Sequence, residues 1–213
     1  MLLTADILNM DTEIPWESGF SIVLPIWKNL GGNPSPSEEK KFTQKFFKGY
    51  NNRASVRKSK PPGTLPDPMV DVIISTKLPS ADLSKMRFYH RLSMSAENIL
   101  GSILEEYIHL KVLPYDWSCC WGSSVKSADF CSSSGTLYQI KNRSNSENSS
   151  SSAIRDGTDI KKWFRIDART GRTNWDALSA IIGKPGLFSE ENFAEFCKNI
   201  ILINPAVIYV EQY

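Results

Sequence analysis

The sequence has no long hydrophobic run and few cysteines or histidines. No apolar stretch approaches the roughly 18 residues of a membrane-spanning helix, so a transmembrane protein is not expected. The four cysteines are too few for a disulfide framework in 213 residues and include no C-x-x-C pair for zinc. The two histidines have no matching partners, and neither a glycine-rich phosphate loop nor a dinucleotide fingerprint occurs.

Composition places the chain among ordinary globular proteins. Hydrophobic residues make up 41% of the sequence, charged residues make up 23%, and the formal net charge is +2. The length suits one domain over residues 1–213, with residues 1–68 as a candidate basic amino-terminal arm or subdomain. Asp6, Asp11 and Glu13 stand where a secretion signal would carry basic residues, which predicts a cytoplasmic protein without a membrane partner.

The basic residues are unevenly distributed. Residues 40–60 contain eight lysines and arginines and no acidic residue, whereas residues 139–176 contain eight basic and five acidic residues. A patch of the first kind attracts a nucleic-acid phosphate backbone. A solvated helix face followed by a flexible loop has the same composition, so the charge pattern alone leaves both interpretations open.

Two alternating segments predict a β-hairpin. Residues 124–130 and 136–141 alternate in the manner of strands, and the serines and glycine between them are typical of a turn. Side chains two apart on a strand share a face, so Gln139 and Lys141 point to one side. If Asp129 lies across from them, a carboxylate, an amide oxygen and an ammonium group converge. That combination suits Mg²⁺ with a phosphate beside it.

This spacing resembles the motif of the PD-(D/E)xK nuclease superfamily. Asp129 stands at the first acid, and Gln139-Ile140-Lys141 stands where the superfamily has (D/E)-x-K. Ala128 replaces the proline and Gln139 replaces the second acid. The resemblance implies that Asp129 binds Mg²⁺, that Gln139 contributes an oxygen or a hydrogen bond to its water, and that Lys141 handles the nucleophile.

The likeness extends to the SinI-type restriction endonucleases. It runs from Asp129 through the polar residues 141–158 to residues 159–165 and 174–176, and glutamine in place of the second acid is tolerated in this group. The resemblance implies an α/β (α+β) fold of the restriction-endonuclease type, a mixed sheet flanked by helices. It also implies a type II enzyme that uses Mg²⁺ to cut double-stranded DNA at a short, G/C-rich, nearly palindromic site of the GGWCC type. A palindromic site calls for a two-fold symmetric reader, so a homodimer is expected.

A helix over residues 95–111 offers the missing negative charge. On a helical wheel Glu97 falls inside the apolar stripe, Glu105 borders it, and Glu106 lies on the opposite, solvent side. A carboxylate within an apolar stripe needs a positive partner or solvent. Either Glu97 or Glu105 is therefore predicted to complete the metal site, with Glu97 slightly preferred, although a first-turn acid favoured by the helix dipole explains Glu97 equally well.

Base and phosphate contacts are expected beyond the hairpin. Arginine matches the major-groove acceptors of guanine and amides pair with adenine, whereas lysines near them would hold phosphate and fix register. A serine-rich segment of this kind is equally typical of a disordered linker. The candidate DNA-binding residues are Arg143, Asn145, Asn148, Arg155, Lys161, Lys162 and Arg165.

The remaining segments receive assignments from local patterns. Helices are expected from a Ser37 cap to about Tyr50 and over residues 80–89, 159–166 and 189–198, and strands over residues 69–76, 118–122, 200–203 and 206–210. Residues 58–68 are expected to form a loop.

Two other functions remain open from the sequence. One is a repair or junction nuclease that recognises DNA structure rather than sequence. The other is a non-catalytic basic DNA-binding protein in which Gln139 marks a decayed metal site.

Overall fold

A four-stranded mixed sheet accompanied by six α-helices makes up the described part of this computed structural model, residues 15–61, 67–144 and 158–210. The architecture confirms the expected α+β class. None of the helices within the described residues is both long enough and apolar enough to cross a bilayer.

The strands lie side by side in chain order. They are β1 (Trp117–Cys119), β2 (Phe130–Ser132), β3 (Leu137–Arg143) and β4 (Lys161–Ile166). β1 and β2 are antiparallel, β2 and β3 are antiparallel, and β3 and β4 are parallel. The predicted hairpin is confirmed as β2 and β3, but its first strand is shorter than expected and begins at Phe130, where the predicted strand ended. Ser127 has a positive φ of 62°, which interrupts an extended strand ahead of Asp129.

Two helices precede the sheet, α1 (Phe20–Gly31) and α2 (Pro36–Tyr50). The cap of α2 is Ser35 rather than Ser37. Its hydroxyl accepts a hydrogen bond from the Glu38 amide while the Glu38 carboxylate accepts one from the Ser35 amide. Phe20 and Phe46 are buried with the sheet residues in a single core, so the described part of the candidate arm packs against the sheet.

The segment predicted as a strand over residues 69–76 is a helix, α3 (Pro68–Lys77). Asp67 caps it by accepting a hydrogen bond from the Met69 amide, and Pro68 occupies the first helical position. These start signals override the β-branched residues, whose strand preference depends on packing. No residue of α3 is buried.

A single long helix, α4 (Leu83–Val112), replaces the two helices expected from the sequence. Asp82 caps it by accepting a hydrogen bond from the Lys85 amide. Its carboxyl-terminal half carries the buried residues Ile99, Ile103, Leu104 and Ile108 and contacts β1 and β3. The amino-terminal half is largely exposed.

Three further predictions, for segments after β3, were wrong. Residues 159–166 were expected to be helical but contain β4, which is held by parallel pairing with β3. Strands were expected over residues 200–203 and 206–210, whereas the helix α6 (Glu190–Ile203), capped by Ser189, continues through the first segment and a short 3₁₀ turn follows. Before it lies α5 (Trp175–Ile182).

Glu106 is buried, contrary to its predicted place on the solvent side of α4. Its carboxylate accepts hydrogen bonds from the Ser55 amide and hydroxyl and pairs with the Arg53 Nε at 3.4 Å. Asn204 donates hydrogen bonds to the carbonyls of Ala54 and Arg57 at 3.0 and 2.7 Å. The chain after α2 is thus fixed between α4 and α6.

His109 is buried and joins three parts of the fold. Its Nδ1 accepts a hydrogen bond from the Cys119 amide, and its Nε2 donates one to the Glu17 carbonyl at 2.7 Å. Burial lowers the pKa of His109 to about 4, and the charge of Arg53 acts in the same direction. The neutral imidazole is therefore the form that fits the fold.

Replacing His109 with glutamine should remove a pH-dependent part of the stability. The folded pKa of about 4 lies below the ordinary 6.5, so protonation favours unfolding. The contribution of the neutral His109 imidazole to the free energy of unfolding is complete above pH 6.5. As the pH falls toward 4, about 3 kcal/mol of it is lost. Urea unfolding of wild type and His109→Gln measures it as their difference, which should shrink in that window. A constant difference would contradict the prediction.

Candidate active site

Asp129 lies at the start of β2, facing β3. Its backbone amide donates to the Tyr138 carbonyl and its carbonyl accepts from the Cys120 amide, both at 2.8 Å. The Oδ2 atom of its side chain accepts a hydrogen bond from the Ile140 amide at 2.7 Å. The carboxylate therefore lies against the middle of β3, between the strand positions of Gln139 and Lys141.

The register of the sheet brings the predicted residues together. Phe130 pairs with Tyr138, and the Asp129 amide donates to the carbonyl of the same Tyr138, so Asp129 lies beside the part of β3 that contains Gln139. Gln139 is buried and Lys141 is partly exposed. The Lys141 charge lowers the pKa of both Asp129 and Glu105, so its ammonium group lies within electrostatic reach of both carboxylates.

Glu105 is the helical acid that reaches this site. Together with Asp129 and Ser102 it lines a cavity of about 190 Å³, which also includes Cys119 and Cys120 of the sheet region. Glu105 is accessible from this cavity, yet protein surrounds it closely enough to keep it from bulk water. Two carboxylates from different elements thus face one small space.

Burial and the charge of Asp129 disfavour the ionisation of Glu105. Burial, and then the negative charge of Asp129, raise the pKa of Glu105 to about 7, while Lys141 opposes the rise. Burial also raises the pKa of Asp129, against the effects of the Ile140 amide and of Lys141. Burial raises the pKa of the Cys119 thiol as well, so it stays protonated. The cavity holds negative charge that its surroundings compensate incompletely.

Glu97 does not reach this site. It lies eight residues before Glu105 on α4, about 12 Å along the helix axis, and its side chain is exposed. Because α4 begins at Leu83, Glu97 is not in its first turn, and it lies outside the buried half of the helix, so the structure brings Glu105 and not Glu97 to Asp129. Within the described residues no group of three or more histidines, cysteines or acids is arranged to hold a metal. Among these residues, Asp129 and Glu105 are the two acids that line one cavity.

The walls of the cavity come from residues that the motif does not indicate. Arg57 and Asn52, from the chain after α2, line it together with Ser102. Arg57 donates a hydrogen bond from Nη1 to the Ser102 hydroxyl at 3.2 Å. Arg57 and Asn52 are distant in sequence from the hairpin, and the basic run of residues 40–60 was the only sequence feature that pointed to them.

Glycine allows α2 to approach the cavity closely. A Cβ on Gly49 would lie 2.1 Å from the Gly122 nitrogen, and one on Gly122 would lie 2.3 Å from the Lys45 carbonyl oxygen. The Lys45 ammonium donates to the Ser123 carbonyl at 2.7 Å across the same contact. Gly49, Gly122 and Ser123 all line the cavity.

The predicted DNA-binding residues fall into different environments. Lys162 pairs with Gln139 in the parallel register, so both side chains leave the same face of the sheet. Lys161 is exposed at the start of β4, and Arg143 is exposed at the end of β3. Asn145, Asn148 and Arg155 lie outside the described residues.

Arg165 does not present its guanidinium for a base contact. It is buried at 6% exposure and forms an ion pair with Glu190. Its Nε donates to the Asn142 Oδ1 at 2.9 Å, and its guanidinium lies over the Phe193 ring. The prediction of DNA contact was wrong for Arg165 because this side chain joins β4 to α6 inside the core.

The sequence model of the SinI restriction endonuclease family matches residues 35–202. The chain belongs to this family. The matched range includes Glu105, Asp129, Gln139 and Lys141, as well as the basic run of residues 40–60. The SinI family assignment thus extends well upstream of the hairpin on which the resemblance first rested.

Two curated relatives are similar to this SinI-family chain. The type II restriction enzyme Eco47I of Escherichia coli is 44% identical over 153 residues, which cover 68% of this chain and 66% of the relative. The type II restriction enzyme SinI of Salmonella infantis is 39% identical over 159 residues, covering 71% of this chain and 69% of the relative. The match thus spans about two thirds of each relative.

Proposed function

We propose that this chain is a type II restriction endonuclease that hydrolyses phosphodiester bonds in double-stranded DNA with Mg²⁺. The observation that carries the proposal is the convergence of Asp129 and Glu105 on one cavity, with the Lys141 charge within reach of both carboxylates and Gln139 next to Ile140, whose amide binds Asp129. The two relatives, both named as type II restriction enzymes, support the same reaction class.

The residues of the cavity fit a hard divalent cation. Asp129 and Glu105 supply carboxylate oxygens to the cavity, and Gln139, on the neighbouring strand and not among the lining residues, is proposed to add an amide oxygen; Mg²⁺ accepts both ligand types. Burial raises the pKa of each acid against the opposing charge of Lys141, and a bound dication would stabilise both carboxylates in their ionised form. When bound, Mg²⁺ would polarise the phosphate and acidify a bound water.

The protein's own groups have distinct tasks in this proposal. The Ile140 amide fixes the orientation of the Asp129 carboxylate. Lys141 positions the attacking water and neutralises charge that develops on the phosphate oxygens. Lys162, on the face of Gln139, and Lys161 hold the flanking backbone without reading sequence.

The site cut is proposed to be short, G/C-rich and nearly palindromic, of the GGWCC type. Arg143 and the residues Asn145, Asn148 and Arg155 are proposed to contact bases or nearby phosphates. A palindrome presents the same groups to two readers related by a two-fold axis, so the active form is proposed to be a homodimer.

Digestion of plasmid DNA of known sequence in Mg²⁺ tests the function. Discrete fragments whose ends map to one short motif are expected. A smear, or cutting confined to branched substrates, would replace this proposal with a structure-selective nuclease. No cutting of any duplex in either Mg²⁺ or Mn²⁺ would leave a non-catalytic DNA-binding protein. Light scattering of the protein with and without DNA tests the dimer.

Glu105→Gln and Glu97→Gln form a matched pair on one helix. Cleavage by Glu105→Gln should fall by about a hundredfold or more because a ligand charge is lost, whereas Glu97→Gln should cleave like wild type. Single-turnover rates in Mg²⁺ measure both. If Glu97→Gln loses cleavage and Glu105→Gln does not, Glu97 and not Glu105 is the helical acid of the metal site.

A second readout excludes misfolding of Glu105→Gln. The folded pKa of Glu105 is raised to about 7 from 4.5, so its stabilising contribution is complete below 4.5 and is lost as the pH rises through 7. The metal-free variant should therefore melt at a higher temperature than wild type above pH 7.

A further inference from the structure

A basic cleft runs beside the carboxylate cavity. It has a volume of about 630 Å³ and is lined by Arg57, Lys58, Lys60, Arg87, His90 and Arg91 among its residues. No acidic side chain is among the lining residues within the described chain. Resting on the proposed nuclease function, we propose that this cleft holds the sugar-phosphate backbone of the DNA strand that enters the cavity.

The two walls of the cleft come from different parts of the chain. One wall is the segment after α2, where the Ser59 amide donates to the Ala206 carbonyl at 2.8 Å and the Ser59 hydroxyl donates to the Val207 carbonyl. Its neighbours Lys58 and Lys60 line the cleft and are exposed. Since the backbone between them is fixed, the two ammonium groups occupy defined positions.

The other wall is the amino-terminal half of α4. Arg87, His90 and Arg91 line the cleft there. Arg87 forms an ion pair with Asp71 of α3 at 2.6 Å. Across both walls the cleft is lined by five lysine and arginine side chains and, within the described residues, by no acidic one, so the surface has a net positive potential. A polyanion is the ligand class that such a surface attracts.

The cleft leads into the site. Asn52 and Arg57 line both the basic cleft and the cavity of Asp129 and Glu105. Arg91 lies about 21 Å from Glu105 along the helix axis at ~1.5 Å per residue. At one phosphate per about 3.4 Å of strand, that length corresponds to about six phosphates. A strand in the cleft would therefore deliver a phosphodiester to the carboxylates.

Substitutions on each wall test whether the DNA backbone lies in the cleft. Lys58→Gln with Lys60→Gln alters the first wall, and His90→Gln with Arg91→Gln alters the second. Lys184→Gln with Lys198→Gln removes two charges from exposed positions outside the cleft. Fluorescence anisotropy measures the affinity of each protein for a duplex in Ca²⁺ over a series of salt concentrations, and thermal unfolding verifies the fold.

Both wall variants should weaken binding, and the control should not. The lysine pair should lose about tenfold in affinity, and the salt slope should fall by about 1.8, since each phosphate contact contributes ~0.9. If both wall variants bind DNA with the affinity and the salt dependence of wild type, the DNA backbone does not lie in the cleft. Weakening by the lysine pair alone would overturn the proposal too, because the DNA would then lie outside the cleft.

The same proteins separate this inference from the nuclease function. If wild type cuts DNA while the wall variants bind normally, the function stands and the inference about the cleft fails. If wild type binds through both walls but cuts nothing, the cleft stands as a DNA-binding site and the nuclease function fails. A wild-type protein that binds no duplex would overturn both.

Discussion

Asp129→Asn is expected to abolish cleavage while leaving the fold intact. The amide keeps the size of the carboxylate and an oxygen to accept the Ile140 hydrogen bond at 2.7 Å, so the geometry of β3 is preserved. What is lost is the negative charge that would bind Mg²⁺. We expect the rate to fall about a thousandfold or more, equivalent to ~4 kcal/mol of transition-state stabilisation.

The stability of Asp129→Asn should be equal to or above that of wild type. Burial raises the pKa of Asp129, which means that the ionised carboxylate is disfavoured in the metal-free fold. The contribution of Asp129 to the free energy of unfolding is complete below its pKa in the unfolded chain. It is lost as the pH rises through its higher pKa in the folded protein. Thermal unfolding at neutral pH without metal measures this, and a lower melting temperature would show that the loss of activity reflects misfolding.

Asp116→Asn is the matched control. Asp116 is exposed and has a positive φ of 60°, a conformation that asparagine adopts readily. The same change of charge outside the cavity should leave the single-turnover rate unchanged. If Asp129→Asn retains Mg²⁺-dependent cutting near the rate of this control, Asp129 is not a metal ligand.

The hairpin and its polar groups could be predicted because their signals are local. Alternation sets Gln139 and Lys141 on one face, and a short turn folds β2 back onto β3, so that the Asp129 carboxylate meets the Ile140 amide between them. The exact extent of the first strand could not be predicted. It depends on the turn at Trp121–Ser123 and on the positive φ of Ser127, neither of which the alternation reveals.

The choice between Glu97 and Glu105 required the tertiary structure. Both acids lie near the apolar stripe of one helix, and only the packing of the carboxyl-terminal half of α4 onto the sheet decides which is enclosed. The buried acid Glu106 shows the same limit. A wheel assigns it to solvent, but the segment after α2 covers it through Ser55 and Arg53.

Helix and strand were confused where neighbours outside the segment decide the outcome. β4 is held by pairing with β3, so Trp163 and Arg165 share the buried face of a strand although their surroundings suggested a helix. Residues 200–203 are β-branched or apolar, yet they continue a helix that Ser189 had already started. Local propensity yields to such contacts.

Lys141→Ala should also abolish cleavage, with a distinct electrostatic signature. Its ammonium group is the cation that lowers the pKa of both Glu105 and Asp129, and in the proposed reaction it positions the water and neutralises charge on the phosphate. Losing it should reduce the single-turnover rate about a thousandfold. Duplex binding in Ca²⁺ should change much less, since one phosphate contact among several is removed.

The two carboxylates should respond as well. Without Lys141 the pKa of Glu105 should rise further above 7, because burial and Asp129 would act without opposition from Lys141. Carboxyl titration followed by infrared spectroscopy in the metal-free variant measures this rise. Lys126→Ala, which removes an exposed lysine between β1 and β2, is the control and should change neither the rate nor the titration. A Lys141→Ala protein that cuts like this control would show that the two carboxylates act without the lysine. The assignment of Lys141 to positioning the nucleophile would then be wrong.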